Sequence, residues 1–191
     1  MGQVVAQPAA APLAFATSDQ GSQQYLTFTL NAEVFAIGIL NIKEIIEYGT
    51  LTEIPMMPAF IRGVINLRGA VVPVVDLSAR FGSRQTEVAR RTCIVIVEMA
   101  QVVDDAEIRQ DIGIVVDSVN EVLEIPPGEI EPPPSFGARI RADFIQGMGK
   151  VAGKFVIILN IDRVLSVDEM AQLALVGARL PTEEGNDKHG A

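Results

Sequence analysis

The chain carries one histidine, one cysteine, no tryptophan and only two tyrosines in 191 residues, and each scarcity removes a class of chemistry. His189 lies among the last residues with no second imidazole to share a transition metal, so a metal centre is not expected. Without a histidine near a serine or cysteine there is no base for a nucleophilic triad, and no catalytic residue is assigned. Cys93 cannot form an internal disulfide, and it sits inside the apolar run 92–97, where a small buried side chain is the expectation. A reducing, cytoplasmic setting fits that usage. Basic residues are outnumbered 15 to 24, for a net charge of -9; nucleic-acid binding is not expected, since such proteins gather Lys and Arg to displace counterions. No apolar run approaches the roughly 18 residues of a spanning helix, so direct membrane insertion is not expected. The first 16 residues have no basic region ahead of their apolar part and contain Pro8 and Pro12, which argues against a secretory signal.

What is present is aliphatic. Hydrophobic residues make up 49% of the chain and aromatics 5%, a Val, Ile and Leu palette that favours strands. The stretch 61–77, IRGVINLRGAVVPVVDL, reads as two buried strands, 64–67 and 71–75, joined at Arg68-Gly69. A glycine there makes positive φ cheap and holds Arg68 at a turn. Pro73 cannot donate to a ladder, which places it at a sheet edge or a bulge. Upstream, 25–30 and 34–40 form a hairpin around Asn31-Ala32-Glu33. Ile42, Ile45 and Ile46 are spaced for one helical turn with Lys43, Glu44 and Glu47 outward. Residues 54–60 read as extended, ending in a short helical turn, and the acidic stretch 101–110 as an exposed loop.

The second half repeats the first. TCIVIV at 92–97 stands for YLTFTL at 25–30, VNEVLE at 119–124 for IKEIIE at 42–47, FIQG at 144–147 for FIRG at 60–63, and ILNIDRVL at 158–165 for VVDLSARF at 74–81. A duplicated unit of about 60 residues implies two similar five-stranded barrels in one chain, the first over about 23–85 and the second over about 90–165. Neither unit is large enough for a comfortable core, so an apolar interface should join them. Residues 1–22 and 180–191 read as tails. Ser166-Val-Asp-Glu169 is a capping box that opens a C-terminal helix over 166–178. The glycines and lysines of 147–154 do not form a phosphate loop: Phe155 stands where Ser or Thr would hold magnesium, and a strand follows where a helix is required.

Glu44 and Arg68 remain, both beside apolar runs. Arg is favoured at protein interfaces for its fork of donors, while a surface ion pair between them explains the same two residues at about 1 kcal/mol or less.

FAIGILNIKEII, IPMMPAFIRGVINLRGAVVPVVDL and IGIVVDSVNEVL together resemble the bacterial chemotaxis coupling protein family, CheW, over about 23–170. The resemblance implies an all-β fold of two five-stranded SH3-like barrels, no enzymatic activity and no cofactor. It also implies an adaptor that couples the cytoplasmic tips of chemoreceptors to the regulatory domain of the histidine kinase CheA, recruited to membrane-associated, often polar arrays. By match to the family motif, Glu44, Arg68, Ile42, Val119 and Val122 would meet the receptor, and Ile45 and Tyr48 the kinase. The 101–110 segment is longer than the family pattern. Three other readings stay open: the same adaptor role in a pathway for surface motility, development or second-messenger control, a free-standing regulatory piece of a kinase, and a small enzyme or ligand-binding barrel.

Overall fold

The computed structural model describes residues 21–135 and 140–171. In chain order the strands are β1 Gln23–Leu30, β2 Glu33–Gly38, β3 Ile42–Glu47, β4 Ile61–Leu67, β5 Ala70–Asp76, β6 Cys93–Val103, β7 Ala106–Val116, β8 Ser118–Ile125, β9 Ile130–Glu131, β10 Ile145–Val151 and β11 Lys154–Leu159. Two one-turn helices, α1 Leu77–Arg80 and α2 Ile161–Val164, follow β5 and β11. Residues 167–171 are helical; the remainder of the expected C-terminal helix, and most of both tails, lie outside the described residues.

The strands form two curled, SH3-like sheets, ordered β8-β1-β2-β11-β10-β9 and β3-β6-β7-β5-β4. Local chemistry explains the hairpins. Asn31-Ala32, Arg68-Gly69, Asp104-Asp105 and Ala152-Gly153 all have positive φ at both positions, the two-residue turn whose twist matches that of paired strands. The first hairpin therefore turns on two residues, and Glu33 already pairs with Leu30. Pro73 faces β4 through Val64, whereas β5 meets β7 only from Val74 to Asp76. The missing donor falls where β5 has no second neighbour.

Four expectations change. The helical turn at 42–47 is strand β3, paired with β6. The loop at 101–110 is the outer part of the β6–β7 hairpin, unpaired only at the turn Asp104-Asp105. A division near 85–90 does not separate the sheets, because each takes strands from both halves: β1 and β2 join β8, β10 and β11, while β6 and β7 join β3, β4 and β5. The two halves have exchanged their first hairpins. Segment 54–60 contains turns and no helix.

The duplication survives in the bonding. Asp76 caps α1 by accepting from the Ala79 N–H at 3.2 Å, and Asn160 caps α2 by accepting from the Arg163 N–H. The N–H of Asp76 donates to the Phe60 carbonyl and that of Asn160 to the Phe144 carbonyl. Both β4 and β10 shift register at their start, between Ile61 and Gly63 and between Ile145 and Gly147.

Burial follows the exchange. The largest core lies between the sheets and draws on both, including Phe28, Phe35, Val97, Ile114, Phe144 and Leu165. Each curled sheet encloses a smaller core of its own, Tyr25, Ala36, Ile125, Val156 and Ile158 in one and Val72, Val74, Ile94, Ile96 and Val115 in the other. Arg80 crosses the middle, its Nε donating to the Val164 carbonyl at 2.9 Å and its guanidinium lying over the rings of Phe60 and Phe144. Cys93 is half-buried and packs against the central core.

Candidate partner-binding surface

β3 and β8 occupy equivalent places in the repeat, each at one end of its sheet. The side chains that these two edges turn inward reach the same core: Ile42 from β3 and Val119 from β8, both half-buried against it. Val122 pairs with Leu26 beside a register shift whose extra residue lies in β8, and it is 52% exposed. Between the sheets, the turn 39–41 carries Ile39 inward and Leu40 outward; Leu40 is 91% exposed and lines a cavity of about 480 Å³ with Gln23, Glu124 and Gln146. An apolar side chain that open loses the burial it would gain against another surface.

Glu44 and Arg68 come together. Arg68 Nη2 donates to Glu44 Oε2 at 3.0 Å, with the Arg68 side chain 79% exposed and that of Glu44 24%. The contact depends on curvature, because β3 and β4 are opposite ends of one sheet and only its closure brings the β4–β5 turn to β3. The pair is lopsided: the Glu44 side chain is largely covered by the protein, and the exposed guanidinium keeps donors for something else.

Ile45 and Tyr48 are not brought onto one face. Ile45 points outward from β3, 43% exposed. Tyr48 packs against the small core of the five-stranded sheet, beneath the Arg62 guanidinium at 5.6 Å. Arg62 is itself fastened to the buried Asp76 and to the Thr86 carbonyl. Beside Tyr48 lies a cavity of about 370 Å³ lined by Ile54, Met57 and Arg62, among others, and Met56, 75% exposed, stands next to it in the chain. Sequence reasoning passed over Leu40, Met56 and Met57; the signal was available in IPMMP, two long apolar side chains set between prolines, which the structure places at a turn with Met56 at φ 63°.

The charges around β3 form a small network. Lys43 Nζ lies 2.9 Å from Asp111 and 3.1 Å from Glu98, and Arg109 bonds Glu98 at 2.9 Å. Hydrogen bonds from Lys43 and then Arg109 hold the Glu98 carboxyl below its ordinary range, and those to Asp111 and Glu98 raise Lys43. No group of three His, Cys, Asp or Glu side chains suited to a metal ion occurs among the described residues. No helix among them is long and apolar enough to cross a membrane.

A family model described as the CheW-like domain matches residues 24–169. The chain is 35% identical over 149 residues to the chemotaxis protein CheW of Klebsiella aerogenes, an alignment covering 78% of this chain and 85% of that protein. It is 26% identical over 163 residues to the protein FrzA of Myxococcus xanthus, covering 84% of this chain and 96% of that one. The crystal structure of the scaffolding protein TtCheW from Thermoanaerobacter tengcongensis superposes with a TM-score of 0.65 at 32% identity, over 78% of this chain and 90% of that one.

Proposed function

Because the chain belongs to the CheW family, we propose that it is a cytoplasmic coupling adaptor, without enzymatic activity, that joins the cytoplasmic tips of chemoreceptors to the regulatory domain of the kinase CheA. The observation that carries the receptor half of this reading is the exposed Arg68, braced by Glu44 on β3, the strand that also carries Ile42. A receptor tip is a helical hairpin. Ile42, Val119 and Val122 would take its apolar face, and Arg68 would set its register by pairing with an acidic side chain at the rim. Ile45, open to solvent, and Tyr48, beside the cavity that Ile54 and Met57 help to line, would meet the kinase. Recruitment to membrane-associated arrays follows from those two contacts, each of moderate strength and summed over many copies.

Titration calorimetry of the purified chain against a receptor-tip fragment tests the assignment. Arg68→Glu should weaken binding by about tenfold or more, because it sets like charges against each other at the rim, with an unchanged circular dichroism spectrum and unchanged affinity for the kinase regulatory domain. A folded variant that binds the tip as tightly as the parent contradicts it. The likeness to FrzA favours a second reading, the same adaptor role in another chemosensory pathway serving surface motility, development or second-messenger control; which receptor tip binds distinguishes the two.

A further inference from the structure

The β6–β7 hairpin runs past the fold that holds it. Its two strands pair from Cys93↔Val116 to Val103↔Ala106. β3 covers the edge of β6 only as far as Val97, and β5 covers the edge of β7 only at Gly113–Val115. From Glu98↔Asp111 outward the hairpin is a two-stranded ribbon with both edges open, and an open edge is a template for another strand.

The turn decides which groups point outward. Asp104 and Asp105, with φ of 50° and 62°, form a two-residue turn closed by the Val103↔Ala106 pair, which is therefore hydrogen-bonded, as are Gln101↔Ile108 and Met99↔Gln110. Glu107, Arg109 and Asp111 thus turn their backbone N–H and C=O to the open side of β7. Side chains alternate in the same way. Val103 and Ile108, 40% and 48% exposed, lie on the face that closer to the barrels bears Val97, Met99 and Ile112 of the central core. On that face the ribbon carries Val103, Ile108 and Ala106 into solvent, with Gln101 and Gln110 between them and the core.

We propose that this β7 edge pairs antiparallel with the same edge of a second copy of this chain, making a four-stranded sheet about a two-fold axis at Ile108. The free groups allow few alternatives. An axis at Arg109 sets Arg109 against itself, and one at Glu107 sets Glu107 against itself. With the axis at Gln110, Glu107 faces Gly113, whose outer groups β5 already uses. At Ile108, Glu107 faces Arg109 of the other copy and Arg109 faces its Glu107; these exposed charges already pair at 3.2 Å within each chain, and the axis adds the same opposite-charge pairing between chains. The two Ile108 side chains then meet across a non-hydrogen-bonded pair. One like-charged approach remains, Asp105 to Asp111, but Asp105 lies in the turn and Asp111 is held by Lys43. So short a pairing buries less than the roughly 1,200 Å² of a stable specific interface, so it is weak in dilute solution and gains weight where copies are held side by side.

Cross-linking tests the register. A non-hydrogen-bonded antiparallel pair brings Cα atoms to about 4.5 Å, within disulfide range. In full-length chain with Cys93→Ser, Ile108→Cys should form an interchain disulfide under mild oxidation at least tenfold faster than Val102→Cys, a more exposed site on the opposite strand. Adding Arg109→Glu should remove that advantage, and adding Glu107→Arg to the same chain should restore it. Sedimentation of the parent chain should show a weight-average mass rising with concentration above that of one chain. Equal cross-linking at 102 and 108, indifference to Arg109→Glu, or a strictly constant mass up to the highest soluble concentration would each overturn the proposal.

Discussion

Arg68 sits at φ 53°, in the first central position of a turn that Asn or Gly fills with less strain. An arginine there gains less than about 1 kcal/mol from its exposed pairing with Glu44, so its presence is better explained by what it offers outward. Arg68 was legible in the sequence because a glycine after an arginine, between two apolar runs, signals a turn; Glu44 was legible only as a charge beside an apolar run, on what proved to be strand β3 and not a helical turn. Their meeting was not legible, since it needs the sheet to close on itself. Elsewhere single residues respond to acid. Arg141 donates to Asp143 and to Glu169, and both carboxyls are held below their usual range, chiefly by that hydrogen bond. Depressed values mean that the unfolded chain takes up protons first as pH falls. The stabilisation is therefore whole above about pH 4.5 and is lost through the region below it. Urea midpoints of the parent should fall more steeply between about pH 4.5 and pH 3 than those of Arg141→Ala, the two converging in acid; parallel curves would refute this. The groups are partly exposed, so the effect is modest and shrinks in high salt.

Strand β3 shows how an element can mislead. Ile42, Ile45 and Ile46 are spaced as in a helix, yet the spacing has another origin. A register shift between Ile42 and Glu44 against β6 flips the alternation, so Ile42 faces the core between the sheets and Ile46 the core inside its own sheet, with Ile45 outward. Bulges of this kind leave no single period to read. The ribbon at 101–110 failed for the opposite reason: Glu107, Arg109 and Asp111 alternate with period two, a strand signal obscured by their charge. The register shifts near Gly63 and Gly147 were within reach, because FIRG and FIQG repeat. Gly63 has φ 143°, and a Cβ there would meet the Thr52 carbonyl oxygen at 2.3 Å, breaking the Thr52↔Val64 bridge. Gly63→Ala should therefore cost about 2 kcal/mol or more, measured by chemical denaturation; a loss under about 0.5 kcal/mol, the size of a neutral surface change, would mean that the strand start relaxes without cost.

At the scale of the whole molecule, the repeat announced two barrels but not their interleaving. A hydrophobic pattern states that a strand is buried and is silent on which sheet takes it. Here β1 and β2 complete the sheet of the second half and β6 and β7 that of the first, so neither half holds a finished sheet. Residues 21–88 or 89–171 expressed alone should lack cooperative unfolding, and mixing the two should restore it, as followed by circular dichroism. A cooperatively folded single half would contradict the exchange. Interleaving also fixes β3 and β8 rigidly across one core, which keeps Ile42 and Val119 in constant relation for a partner. The adaptor role requires two partners at once, and the most direct measurement is co-sedimentation of the kinase regulatory domain with particles bearing receptor tips. The account predicts that the kinase domain is recovered with the particles only when this chain is added, and about tenfold less with Arg68→Glu. Binding of each partner alone, with one displacing the other from the folded chain, would contradict it.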